Sequence, residues 1–158
     1  MSLHSRADAV LNSLAAFHDE ERLLECHDAG HTLRCQLSAL DKLGCAFQTF
    51  EVGSDALASA SMDRLKELSE ALSRRLTYLL EPISVVEVDA DQCVVQLRSN
   101  PPQKDETGTS YYELLVAAGG RLSLRRYAKT PGNPRQPVAA QVTREVFLRL
   151  VADFAAAE

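Results

Sequence analysis

The chain has 158 residues, 46% of them hydrophobic and 25% charged, with a formal net charge of −5. A domain of that length buries roughly 70% of the surface its unfolded chain exposes, so a sizeable core is expected over a single domain, 1–158. No apolar run approaches the ~20 residues that span a bilayer, and an acid excess argues against non-specific nucleic-acid binding, which needs clustered cations.

The N-terminal stretch lacks the basic, apolar, small-residue order of a signal peptide, which points to a cytoplasmic protein with no membrane association. Its four cysteines, Cys26, Cys35, Cys45 and Cys93, form no Cys-x-x-Cys pair and read as small apolar packing residues. The charge is uneven. Residues 1–97 carry 8 Lys/Arg against 16 Asp/Glu, whereas residues 98–158 carry 9 against 6. The basic C-terminal part leaves room for a local anionic partner.

In chain order, Ser5 with Asp8 three residues on resembles a capping box. Ala7, Val10, Leu11, Leu14, Phe17 and Leu24 then recur at helical spacing, predicting a helix that runs to Cys26–Asp28 and stops at Gly30. Period two follows: Leu33, Cys35, Leu37 and Ala39 alternate with polar residues, and a returning strand starts near Cys45. The small polar residues 53–61 read as a linker within the domain.

Met62, Leu65, Leu68, Leu72, Leu76 and Leu79 form the stripe of a second helix, capped by Ser61, supported by a Glu70–Arg74 pair and stopped at Pro82. A hairpin around Ala90 and Asp91 would set Val88 against Cys93 and Val86 against Val95. A second hairpin turning at Gly119 and Gly120 would set Leu115 against Leu124, Glu113 against Arg126, and Tyr112 against Tyr127. Residues 99–110 between them read as an exposed mobile loop. A short edge strand over 138–142 and a helix capped by Thr143 close the chain, with Val146, Phe147, Leu150, Val151 and Phe154 inward. The fold class is α+β: an antiparallel sheet of about six strands, built from a two-stranded N-terminal part, two later hairpins and an edge strand. The N-terminal, central and C-terminal helices pack on one face.

Few constellations suggest chemistry. Cys26, His27, His31 and Cys35 are adequate zinc ligands by type but match no recognised ligand spacing, so no metal is expected. Asp89 and Asp91 suit an exposed turn. Glu113, placed opposite an arginine, would be a poor general acid. No phosphate loop, nucleophile elbow or His-Glu-x-x-His occurs, so neither a catalytic residue nor a cofactor is indicated and the chain reads as non-enzymatic.

The strongest candidate is the mixed side of the second hairpin, where Tyr112, Leu114, Val116, Arg125 and Tyr127 would form an aromatic, aliphatic and guanidinium patch of hot-spot composition. Left uncovered, it is a partner surface. In size, acidity and helix-bounded element order the chain resembles, in outline, the secretion-chaperone-like domains that dimerise and clasp extended partner segments. No motif residue carries over. The expected function is a protein-interaction, adaptor or chaperone-like domain acting as a homodimer, or with another protein, through that sheet face. The alternative is a small-molecule-binding protein or enzyme holding an anion between sheet and helices near the 99–110 loop, with Arg98, Arg121 and Arg135 as its ligand residues.

Overall fold

The computed structural model of the protein describes residues 2–157. Its first helix, α1 (Leu3–Ser13), is capped by Ser2, whose hydroxyl accepts the Ser5 N–H at 3.1 Å. This helix is half the predicted length. Leu14 is already extended, and residues 22–28 form a strand, β1 (Arg22–Asp28), rather than further helical turns. Phe17 is buried as predicted, but its backbone exchanges two hydrogen bonds with Leu40, at 3.0 and 2.9 Å. The inward pair Leu24 and Cys26 stands two residues apart, which is a strand period that the helical template mistook for part of its own stripe.

Gly30 therefore closes a hairpin instead of stopping a helix. Ala29 and Gly30 have φ of 48° and 83°, and Asp28 pairs with His31, the geometry of a two-residue turn with both central residues left-handed. The chain continues through β2 (His31–Leu40), β3 (Gly44–Ser54) and one 3-10 turn at Asp55–Leu57. Helix α2 (Met62–Arg75) has the predicted cap, Ser61 Oγ accepting from Arg64 N at 3.2 Å. It ends well before Pro82, and Leu76 and Leu79 reach the core from the connection that follows. Its i,i+3 ion pair is Arg64–Glu67 at 3.3 Å.

The remaining strands are β4 (Ile83–Asp89), β5 (Val94–Ser99), β6 (Gln103–Lys104), β7 (Thr109–Ala117), β8 (Arg121–Lys129), β9 (Gln136–Val138) and β10 (Ala140–Thr143), before α3 (Arg144–Ala155). Thr143 caps α3 through Val146 N at 3.1 Å, as predicted. Among the described residues the sheet has ten strands, in the order β1-β2-β3-β8-β7-β5-β4, with β10 on β3, β6 on β7 and β9 on β8. All pairings are antiparallel. The α+β architecture stands. The count exceeds six because β1 replaces half a helix, the expected edge strand divides into β9 and β10, and the 99–110 segment forms its own small turn: β6 pairs with Ser110 and Thr109, and Asp105 accepts the Thr107 and Gly108 amides at 2.8 and 2.9 Å.

One cross-strand row defines the core face: Leu24, Cys35, Phe50, Leu124, Leu114, Leu97 and Val85 are successive partners from one edge to the other. All but Val85 are buried, and they share one cluster with Leu3 and Leu11 of α1, Leu65 and Leu72 of α2, and Phe147 and Phe154 of α3. The three helices thus cover the same side. At its centre Phe50 meets Phe147 and Phe154 edge to face, at 5.5 and 5.1 Å between centroids, arrangements each worth about 0.5–1.5 kcal/mol beyond area burial.

Both predicted hairpin registers shift. In the first, Val88 pairs with Val95 and Asp89 with Val94, leaving a four-residue loop, and a bulge at Val86 breaks the alternation. In the second, Ala117 pairs with Arg121, so the loop is Ala118-Gly119-Gly120 rather than two residues. A one-residue slip exchanges faces. Tyr112, Leu114 and Val116 consequently lie on the helix side, buried.

Candidate functional site

The side of the sheet away from the helices carries a different row: Glu25, Arg34, Glu51, Ser123, Leu115, Gln96 and Glu87 are successive partners. Beside it runs Arg125, Glu113, Arg98 and Ser84, and beyond that Tyr127 is flanked by Tyr111 and Pro137. The residues most apt for recognition gather here, around Glu113.

Glu113 is 6% exposed. Its Oε2 accepts from Gln96 Nε2 at 3.0 Å and Arg98 Nη2 at 3.5 Å, and also from Arg135 Nη1. Arg135 arrives from the loop before β9; its guanidinium lies 3.9 Å from the Tyr127 ring centroid and donates to the Tyr111 hydroxyl at 3.4 Å. The bonds to Glu113 and Tyr111 hold the Arg135 guanidinium above its ordinary pKa. Arg98 sits 4.7 Å over the Tyr111 ring, and the two tyrosine rings lie 6.0 Å apart, tilted by 34°. The result is a stack of two tyrosines bearing two guanidiniums, with one carboxylate between the cations. Both arginine side chains keep 39% of their surface exposed, so one uncompensated positive charge faces solvent.

The sequence-derived partner set divides between the two faces. Arg125, exposed, and Tyr127, half-buried, lie on the open side; Tyr112, Leu114 and Val116 belong to the core. Tyr111 is the tyrosine that joins Tyr127. Tyr112 pairs instead with Arg126, whose guanidinium stacks on it at 4.5 Å and bonds Glu81 at 2.9 Å. Burial raises the pKa of the Tyr112 phenol. The Glu113–Arg126 contact expected from sequence is absent for the same reason: the residues lie on opposite faces.

Of the anion-binding set, Arg98 and Arg135 converge, but on Glu113, which already supplies the negative group. Arg121 lies at the far end of its strand beside Gly53. A hollow of about 620 Å³ lies elsewhere, lined mainly by Ala39, Ala46, Phe17, Leu43, Gln141 and Val142. Near the β1–β2 turn, His27 Nδ1 contacts Thr32 Oγ1 at 3.0 Å and Cys26 and Cys35 point into the core, so the Cys26/His27/His31/Cys35 group does not converge. Among the described residues no group of three or more ligating side chains gathers to hold a metal ion, and no helix is long and apolar enough to cross a membrane.

Glu113, Gln96 and Tyr111 were missed as site residues. A usable signal existed. A three-residue loop sets Val116 against Leu122 and Leu114 against Leu124, matching apolar with apolar, whereas the two-residue loop set Leu114 against Arg125. Compared with protein-family models, curated proteins and solved structures, the chain matches none.

Proposed function

We propose that the protein is a non-catalytic interaction domain that works through the open face of its sheet. The observation that supports this is the stack of Arg98, Tyr111, Tyr127 and Arg135 on the side of the sheet away from the helices, where the two guanidiniums and part of Tyr127 reach solvent above the buried Tyr111. Tyrosine and arginine combine broad contact area with directed donors, and here the rings and guanidiniums are already ordered against one another, so little rotamer freedom remains to be lost on binding.

A second copy of the chain is the partner to test first. The open face carries Glu25, Arg34 and Glu51 on β1–β3, a net negative row, and Arg98, Arg121, Arg125 and Arg135 on β5, β8 and the loop before β9. A twofold axis along the β3–β8 seam lays each half of one copy over the opposite half of the other, so unlike charges meet. Sedimentation velocity over a wide concentration range is the assay. A dimer is expected that weakens with salt and is lost in Arg125→Glu, a substitution at an exposed position cross-strand from Glu113. A monomer at every concentration refutes the homodimer. Wild-type association unchanged by salt and by Arg125→Glu refutes the face.

A second reading, a small-molecule-binding protein, draws on the hollow over Ala39 and Ala46, whose size and mainly apolar lining suit a small ligand. Native mass spectrometry of freshly purified protein separates the two, since a retained small molecule adds a fixed mass to each chain.

A further inference from the structure

The sheet ends at β4, and nothing pairs with its outer side among the described residues. The Ile83 carbonyl is taken by the Ser73 hydroxyl of α2; from Ser84 to Asp89 the outer edge has no strand neighbour. Such an edge is a template for another strand, and proteins usually blunt it with lysine or cover it. This one does neither, although the bulge at Val86 interrupts its alternation. Of the six large hydrophobic side chains exposed among the described residues, three are here: Val85, Val86 and Val88, at 39%, 48% and 41%. The other edge, β1, differs in carrying charges of both signs, Arg22, Glu25 and Asp28, with Arg6 of α1 bonded to Asp28 at 3.0 Å.

Register shows what chemistry the edge presents. Val85 and Val88 are opposite Leu97 and Val95, which are core residues, so both point to the helix side, where they stay partly exposed at the rim of the core. Glu87 and Asp89 are opposite Gln96 and Val94 and point to the open side. Residues 76–97 hold four acidic residues and no Lys or Arg. Arg98, the next base along β5, is engaged by Glu113. An added strand would therefore meet valines on one side and carboxylates on the other.

We infer that β4 accepts an extended segment of another protein in which apolar and basic side chains alternate, the apolar set packing beside Val85 and Val88 and the basic set on Glu87 and Asp89. Backbone pairing holds the segment and the alternation selects it. A second copy of β4 is disfavoured because it brings carboxylates to carboxylates. This surface is separate from the tyrosine–arginine face, and its test does not depend on that reading.

The test uses the full chain and a short fluorescent peptide of alternating valine and lysine, followed by anisotropy. Controls are the valine–glutamate peptide and a peptide of the same valine and lysine content in two blocks. Saturable binding of the alternating basic peptide is expected, with an affinity about tenfold or more above both controls, falling by a similar factor in Glu87→Lys. Hydrogen exchange should show new protection at β4 amides and none at β1, a readout that Val88→Lys should also abolish. Equal binding of the block peptide, protection outside β4, or no saturable binding overturns the inference. So does β4 protection in the peptide-free protein that grows with protein concentration, since the edge would then be filled by a second copy.

Discussion

Glu113→Gln removes one charge from the centre of the open-face cluster while keeping its shape. Three donors meet on the Glu113 Oε2 atom, two of them guanidiniums. A charge-assisted hydrogen bond contributes about 1.5–3 kcal/mol, and breaking a fully buried ion pair costs about 3–5 kcal/mol. Neither upper figure applies, because both arginine side chains are 39% exposed and recover water when the carboxylate is lost. The carboxylate itself has little access to water, so its partners cannot be replaced in the native state. The expected loss is about 2 kcal/mol, a fall in Tm of roughly 4–8 °C for a chain of this size.

Urea denaturation of the wild type, Glu113→Gln, Arg135→Gln and the double variant forms the assay. The coupling between the two positions should be about 1 kcal/mol or more, so Arg135→Gln should cost less in the Glu113→Gln background, the remainder being its Tyr127 stack and Tyr111 hydrogen bond. Additive losses, or a Glu113→Gln cost within about 0.5 kcal/mol of zero, the range of ordinary surface substitutions, refute the account of this cluster as an ordered unit.

Three more expectations follow from backbone and burial. Gly119→Ala meets nothing within 4 Å and should cost only the left-handed penalty, about 1–2 kcal/mol, whereas a Cβ on Gly120 would sit 2.3 Å from the Ser54 carbonyl oxygen, so Gly120→Ala should cost clearly more in the same denaturation assay. Burial pushes the Cys45 thiol up to about 12 and holds Cys35 well above its ordinary value. Because the native state then keeps protons that the unfolded chain releases, stability should be intact below about pH 9 and fall as pH rises toward 12. Iodoacetamide at pH 8 should label Cys93, the one of the four that is not buried, well before Cys35 and Cys45.

The sequence by itself determined the starts of α2 and α3 and the two-sided character of the later strands, whereas α1 is capped by Ser2 and not by the expected Ser5. Ser61 and Thr143 cap α2 and α3 because a hydroxyl beside an apolar-periodic run satisfies an amide that would otherwise lack a partner, a local interaction that needs no tertiary information. Alternation likewise marked Leu33, Cys35 and Leu37 as inward, and all three are buried. Past α1 the local signal failed. Leu14, Phe17 and Leu24 fit a helical stripe by spacing, yet Leu24 is inward because β1 pairs with β2, a contact that spacing along the chain does not contain.

The tertiary structure alone decided which face of each strand is core. Period two separates side chains into two sets without saying which set meets the helices. That choice passes through loop length, and one extra residue at Ala118-Gly119-Gly120 moved Tyr112, Leu114 and Val116 inside and brought Tyr111, Glu113 and Tyr127 to the open side. The cluster that Arg135 completes was beyond local reasoning for a related reason. Its members come from β5, β7, β8 and the loop before β9, and only the stacking of strands in the order β8-β7-β5 brings them within hydrogen-bonding distance.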